Sequence, residues 1–150
     1  QEKLDFCHNL GADERINYKT TDFGELLENK VYVVLDFVGK SHFESNLKSL
    51  KVDGRWIVIA AMSGGLIENF DLSQILSRRI KIEGTALLSR SDAYKEQLTQ
   101  EFYNETVEHF KKGTLKAVVD SVYDIQDVEK AHKRMRDNLN MGKIILKVNE

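Results

Sequence analysis

Residues 31–39 read VYVVLDFVG, an almost continuous run of apolar and β-branched residues. A run of this kind predicts a strand that is covered on both faces, as strands of parallel sheets are. Residues 56–61, WIVIAA, predict a second buried strand, and the sequence between the two runs has helical periodicity. The stretch therefore predicts a βαβ unit with a right-handed crossover.

The same alternation of strands and helices continues on both sides of this unit. Residues 15–18, RINY, predict a short strand before it, and residues 80–83, IKIE, alternate strictly and predict a half-exposed edge strand after it. Residues 91–112 predict a long helix, and residues 116–148 a strand, a helix and a final strand. The long helix is expected to bury Tyr94, Leu98, Phe102 and Phe110. The pattern predicts an α/β protein with a parallel sheet.

Composition and charge exclude several classes of protein. The 150 residues include no proline, which excludes proline-rich linkers and collagen. A net charge of −2 gives no electrostatic basis for binding nucleic acid or an anionic membrane. No apolar run is long enough to span a bilayer. The single cysteine, Cys7, cannot form an internal disulfide, which favours a reducing, cytoplasmic location. The histidines show no spacing typical of a metal site.

Ligands of open parallel sheets bind beyond the carboxyl ends of the strands. Two short segments fit this position, one at Val38, Gly39 and Lys40 and the other at residues 62–65, MSGG. Their glycines either let a ligand approach the backbone or simply form turns, and the spacing leaves both interpretations open. Asp36 could act as a base, but capping of neighbouring backbone N–H groups is the favoured interpretation.

Recognised catalytic motifs are missing from the 150 residues. No serine, histidine and aspartate set, no zinc-ligand set, no P-loop and no G-x-G-x-x-G sequence can be assembled. Residue patterns alone therefore lead only to an α/β sheet of the nucleotide-binding type.

Six short motifs, taken together, resemble one protein family. Three of them resemble the cofactor domain of medium-chain dehydrogenase/reductases: LGAD at 10–13, INYK at 16–19 and LDFVG at 35–39. The other three narrow the resemblance to the zinc-independent NADPH:quinone oxidoreductases: DGRW at 53–56, LLSRS at 87–91 and NMGKI at 140–144. The resemblance covers essentially the whole chain.

The resemblance implies a division of the chain and an incomplete sheet. Residues 1–113 would be a partial dinucleotide-binding (Rossmann) domain that lacks its first two strands. Residues 114–150 would be the C-terminal β-α-β segment of the catalytic GroES-like domain. The strand at residues 31–38 would then have an unpaired edge. Since the glycine-rich phosphate loop is also missing, these residues alone are expected not to turn over NADPH.

The resemblance also implies which residues bind NADPH. Lys3 would meet the 2′-phosphate, and Tyr18 would lie near the adenosine phosphate. Asn140 would reach the cofactor from the returning segment. The others would line the adenine and ribose side (Val38, Gly39), the nicotinamide ribose (Met62, Ser63, Gly64) and the nicotinamide amide (Ala86, Leu87). Lys3, Tyr18 and Asn140 each have a plain alternative role, as a solvated lysine, a strand end and a turn residue.

The activity implied for the parent protein is hydride transfer from NADPH to a quinone or another electron-poor alkene or carbonyl. The alternatives are an enoyl-thioester reductase of the same superfamily and a non-catalytic binding or structural fragment. The implied enzyme needs no metal, and no catalytic residue can be named within this chain. The family also implies a homodimer formed through the edge strand between Ile80 and Leu88, while the acidic pI argues against nucleic acid as a partner.

Overall fold

The computed structural model describes residues 1–148, so the last two residues of the predicted C-terminal segment lie outside it. The chain forms two compact units. Residues 14–95 form one of them, which we call the central unit after its place in the sequence. The terminal unit joins residues 1–13 to the chain from Glu96 onward. The predicted domain boundary between residues 113 and 114 stays a prediction.

Helices and strands alternate along the chain, with 3-10 turns at Lys40–His42 and Ile125–Asp127. The elements are, in order, α1 (Glu2–Asn9), α2 (Phe23–Leu26), β1 (Val31–Asp36), α3 (Phe43–Ser49), β2 (Leu50–Val58), α4 (Ser73–Arg78), β3 (Lys81–Gly84), α5 (Asp92–Lys111), β4 (Val119–Asp124), α6 (Val128–Arg136) and β5 (Lys143–Lys147).

The central unit is built on a parallel three-stranded sheet in the order β1-β2-β3. This confirms the predicted α/β class, and it places β1 and β3 at the two edges. Helix α3 connects β1 to β2, and α4 connects β2 to β3. The core consists of Leu47, Leu50, Trp56 and Ile80, all buried, with Phe43 and Phe70 packed against it. These side chains come from α3, β2 and the segments beside α4 and β3.

β1 is covered on one face only, so the prediction of burial on both faces was wrong. Val34 packs against the core and Asp36 is buried, whereas Val33 and Leu35 are exposed. Successive side chains of a strand point to opposite faces, and in the described residues the core packs against only one face of β1. The apolar run identified the strand correctly but not how many of its faces are covered.

Two other sequence predictions also need correction. Residues 15–18 form no strand, because no strand of the described residues pairs with their backbone. Helix α5 has the predicted extent but buries none of its residues. Tyr94, Leu98, Phe102 and Phe110 are all exposed, since α5 packs extensively against no other element in the described part of the chain. Within residues 1–148, no helix combines the length and apolar character that crossing a membrane requires.

The terminal unit contains a second parallel sheet, formed by β4 and β5 and connected by α6. This is the strand-helix-strand arrangement predicted for residues 116–148. Asp120 of β4 holds it together: the Asp120 side chain is almost fully buried and accepts two hydrogen bonds from Arg134, at 2.6 and 2.8 Å. It also accepts one from the backbone N–H of Met141, at 2.9 Å. One carboxylate thus links β4, α6 and the turn before β5.

The Asp120 network predicts acid sensitivity of the terminal unit. The hydrogen bonds from Arg134 and then from the Met141 N–H hold the pKa of Asp120 well below its ordinary value of 3.8. A carboxyl group whose pKa is lowered on folding stabilises the fold above its unfolded pKa and loses that contribution as the pH falls through its folded pKa. We therefore expect constant stability near neutral pH and a progressive loss below about pH 4.

Hydrogen exchange of the β4 and β5 amides as a function of pH measures this effect. Asp120→Asn is expected to lower protection at pH 7 and to remove much of the acid-dependent loss. Asp137→Asn is the control, because the Asp137 carboxylate forms an exposed ion pair with Lys133 and is not part of the Asp120 network. If the wild type and Asp120→Asn lost protection at the same pH and to the same degree, Asp120 would not be the acid-sensitive group.

Candidate functional site

The carboxyl ends of the three parallel strands of the central unit are aligned. Asp36 of β1 pairs with Val58 of β2, and Val58 pairs with Gly84 of β3. The three following loops therefore start at the same edge of the sheet, which is where ligands of such sheets bind. These loops contain seven of the residues expected to bind the cofactor: Val38, Gly39, Met62, Ser63, Gly64, Ala86 and Leu87.

Hydrogen bonds connect the first two of these loops. The Ser63 hydroxyl donates to the Val38 carbonyl at 2.7 Å and accepts from the Ser41 N–H at 2.9 Å. The Lys40 N–H donates to the Gly64 carbonyl at 2.9 Å. The two loops thus form one connected surface. The Ser63 side chain is engaged with the neighbouring loop, so its hydroxyl proton already has an acceptor within the protein.

Gly39 is required by the close approach of these loops. Its φ is +83°, in the left-handed region that residues with a Cβ rarely adopt. A Cβ at this position would lie 2.6 Å from the Gly64 carbonyl oxygen and 2.9 Å from the Ala61 Cα. The structure therefore requires glycine at position 39 for the close packing of the two loops and not only for a turn.

Asp36 caps the first loop, as the favoured interpretation predicted. Its side chain is buried, and its Oδ1 accepts hydrogen bonds from the N–H groups of Val38, at 2.7 Å, and Gly39, at 3.1 Å. Its Oδ2 accepts a hydrogen bond from the Trp56 indole at 3.2 Å. The three donors are neutral and belong to the protein. This arrangement suits an anchor for the loop and does not suit a base that must reach a substrate.

A pocket of about 420 Å³ lies beside the first loop. Tyr18 and His42 line its wall and form an edge-to-face contact with ring centroids 5.3 Å apart, and the ring of Phe23 lies 5.2 Å from that of His42. The remaining lining residues are three apolar ones, Leu35, Phe37 and Val38, and three polar ones, Asp36, Ser41 and Asn46. Flat rings and apolar walls suit a flat heterocycle such as a purine.

A second groove, of about 520 Å³, has a different character. Asp22, Glu25, Glu28 and Glu44 all line it, together with Lys48 and Arg78. This excess of carboxylates would repel a phosphorylated ligand. Of these two cavities, the one beside Tyr18, Val38 and His42 therefore suits a flat ligand that carries a phosphate better.

Lys3 and Asn140 belong to the terminal unit, where both have partners within that unit. The Lys3 ammonium donates to the backbone carbonyl of Asn138 at 2.5 Å and to its side-chain oxygen at 2.8 Å. The Asn140 amide donates to the Gly142 carbonyl at 3.0 Å, as its alternative role in a turn requires. Their roles toward a cofactor stay predictions. Met62, Ala86 and Leu87 are exposed at the sheet edge.

Two residues of the candidate site were not identified from the sequence. His42 was not assigned a role because it falls within the helical periodicity between the two strand runs, whereas it lies in a 3-10 turn against Tyr18. Trp56 was assigned to the core only, and its hydrogen bond to Asp36 depends on pairing between β1 and β2. The one available signal was the position of His42 three residues after Gly39.

Metal-ligating side chains do not cluster in the described residues. Among residues 1–148, no three His, Cys, Asp or Glu side chains lie close enough to hold a metal ion.

Comparison with known proteins identifies the family. The sequence profile of the zinc-binding dehydrogenases matches residues 10–146. The acryloyl-coenzyme A reductase of Sulfurisphaera tokodaii is 27% identical over 117 residues, which are 78% of this chain and 32% of that protein. The quinone oxidoreductase-like protein 2 of Bos taurus is 24% identical over 153 residues, covering 97% of this chain and 42% of that protein.

A solved structure has the same fold. The crystal structure of CurA from Vibrio vulnificus in complex with NADPH superposes with a TM-score of 0.78 at 22% identity, covering 100% of this chain and 48% of that one. The chain thus spans less than half the length of each of these relatives. The six motifs, the parallel βαβ sheet and the family profile agree, and the chain belongs to the zinc-binding dehydrogenase family, within the medium-chain dehydrogenase/reductases.

Proposed function

We propose that the central unit binds the adenosine side of NADPH, as part of an enzyme that reduces quinones or other electron-poor alkenes and carbonyls. The observation that carries the proposal is the alignment of Asp36, Val58 and Gly84 at one sheet edge. This alignment brings together the loops that the family resemblance assigns to the cofactor. The NADPH bound to CurA and the quinone oxidoreductase-like relative support the same assignment.

NADPH, when bound, supplies the hydride. The residues of this chain have binding and orienting roles. Tyr18 and His42 provide aromatic edges for the adenine, and the backbone of Val38 and Gly39 forms the adjacent wall. Met62, Ala86 and Leu87 provide an exposed surface at the same sheet edge for the nicotinamide half. The reaction is thus expected to require residues outside this chain for contact with the substrate.

Steady-state assays of the intact protein test the proposed activity. NADPH oxidation is expected with a simple quinone as acceptor, and zinc chelation is expected to leave the rate unchanged. Binding of NADPH without turnover of a quinone or an enoyl thioester would support the non-catalytic alternative. No NADPH binding at all by the intact protein would contradict the proposal.

An enoyl-thioester reductase is the second candidate, because the relative from Sulfurisphaera tokodaii is an acryloyl-coenzyme A reductase. Both substrates are electron-poor alkenes, so the nucleotide-binding residues do not distinguish between them. The ratio of kcat/KM for a quinone and for acryloyl-coenzyme A, measured on one preparation, decides between the two.

Lys3 is expected to confer a preference for NADPH over NADH. A lysine at the 2′-phosphate forms a charge-assisted contact that NADH cannot make, worth about tenfold in affinity. Lys3→Gln should therefore raise the Kd for NADPH by about that factor and leave the Kd for NADH unchanged. Lys147→Gln, at an exposed end of β5, is the control for charge. Equal effects on both nucleotides would refute the contact.

We propose further that two copies associate through β3. This strand is at the sheet edge, is exposed along its length and has no second neighbour in the described residues. An added strand could pair with its free backbone groups. Sedimentation of the intact protein is expected to show a dimer, and Ile82→Pro, which removes a backbone donor, is expected to shift it to monomer. A wild-type monomer would contradict this.

A further inference from the structure

We infer that Asp36 is a positioning residue for the nucleotide: its carboxylate fixes the loop of Val38 and Gly39 in the conformation that receives the adenosine. The inference rests on the proposed NADPH function and assigns a role within that site. Asp36 is among the residues that line the pocket, but its side chain is buried and both of its oxygens accept hydrogen bonds from the protein. It acts through the loop backbone.

The two carboxylate oxygens of Asp36 accept hydrogen bonds from different parts of the protein. Oδ1 accepts from Val38 N and Gly39 N, which belong to the loop, and Oδ2 accepts from Trp56 Nε1, which belongs to the core. The carboxylate therefore ties the loop to the most buried ring of the sheet. No Lys, Arg or His is among the hydrogen-bond or ion-pair partners found for Asp36 in residues 1–148, so its charge is solvated by N–H dipoles.

The shape of the pocket depends on the loop that Asp36 caps. Val38 lines the pocket beside Tyr18 and His42, and its carbonyl also accepts the hydrogen bond from Ser63. Gly39, at φ +83°, lies so close to Ala61 and Gly64 that a Cβ at this position would clash with both. If Asp36 released the loop, the wall of the pocket and its link to the second loop would change together. The fraction of protein ready to bind NADPH would then fall, and the apparent Kd would rise by the inverse of that fraction.

The direction in which the NADPH affinity changes when Asp36 is substituted distinguishes a positioning role from a purely electrostatic one. Removal of a negative charge near the site should tighten binding of the anionic NADPH if Asp36 acts only through its charge. Removal of the loop acceptor should weaken binding if Asp36 positions the loop. Asp36→Ala removes the charge and both acceptors, whereas Asp36→Asn removes the charge but retains one oxygen that can accept from Val38 and Gly39.

The test is an NADPH titration of the intact protein with four variants. Asp36→Ala is expected to raise the Kd for NADPH about tenfold, and Asp36→Asn to raise it less. Trp56→Phe removes the donor to Oδ2 together with part of a buried ring, so it should lower stability. It should raise the Kd less than Asp36→Asn does, because the loop acceptor Oδ1 remains. In the double variant of Asp36→Asn with Trp56→Phe, the indole N–H no longer competes for the oxygen of the new amide. That oxygen can then accept from the N–H groups of the loop, and the affinity for NADPH should approach that of the wild type.

Hydrogen exchange of the Val38 and Gly39 amides provides a readout that does not depend on activity or on Asp36→Ala folding. Exchange should be faster in Asp36→Asn than in the double variant. Equal or tighter NADPH binding by Asp36→Ala, or equal effects of Asp36→Asn and Trp56→Phe on both Kd and exchange, would overturn the inference while leaving the proposed function intact. Failure of the wild type to bind NADPH would overturn the proposed function itself.

Discussion

Trp56→Ala is expected to lower the free energy of unfolding of the central unit by about 3–5 kcal/mol. Trp56 is 2% exposed and packs against the ring of Phe43, with centroids 5.1 Å apart. Its truncation leaves a large cavity among Leu47, Leu50 and Ile80 and also removes the indole donor to Asp36. Urea unfolding followed by circular dichroism measures the loss, because the chain has no other tryptophan for fluorescence.

Leu76→Ala is the matched control for this substitution. Leu76 is 79% exposed on α4, so its truncation should change the free energy of unfolding by no more than about 0.5 kcal/mol. Equal losses in the free energy of unfolding for the two substitutions would contradict the placement of Trp56 in the core.

Gly39→Ala is expected to reduce NADPH affinity at least tenfold. A methyl group at residue 39 would lie 2.6 Å from the Gly64 carbonyl oxygen, so the first two loops would have to separate. The positive φ adds about 1–2 kcal/mol of backbone strain for any residue with a Cβ. Both effects act on the Val38 wall of the pocket. Isothermal titration of the intact protein with NADPH measures the change.

Gly84→Ala provides the comparison for Gly39→Ala. Gly84 ends β3 at the same sheet edge, but a Cβ there would meet no atom within 4 Å. NADPH affinity is expected to stay at the wild-type value in this variant. Loss of affinity in Gly84→Ala but not in Gly39→Ala would place the nucleotide against the third loop instead of the first.

Sequence patterns predicted the positions of the strands better than they predicted which strand faces are buried. The run at residues 31–39 identified β1, and the run at residues 56–61 identified the last three residues of β2, because apolar β-branched residues favour a strand whatever covers it. Burial depends on which elements pack against each face, and periodicity carries no information on that. This is why Leu35 and Phe102 are exposed although both belong to regular apolar patterns. The strand predicted at residues 15–18 failed for the same reason, since pairing needs a partner.

The site shows a similar division. Strand ends and glycines pointed to Val38, Gly39, Ser63 and Gly64, and the aligned register of the three strands brings their loops to one edge. What could not be predicted are contacts between segments distant in sequence, such as the Ser63 hydroxyl on Val38 or Trp56 on Asp36. The pair Arg79 and Asp53 is another example, because the guanidinium forms a two-point contact with a carboxylate 26 residues away in the sequence.

The most direct test of the central claim is hydrogen–deuterium exchange of the intact protein with and without NADPH. If the aligned strand ends bind the nucleotide, NADPH should protect the amides of residues 36–42 and 61–65 and leave those of α4 unchanged. Protection confined to the acidic groove around Asp22 and Glu25, or no protection in the first two loops at a saturating concentration of NADPH, would contradict the claim.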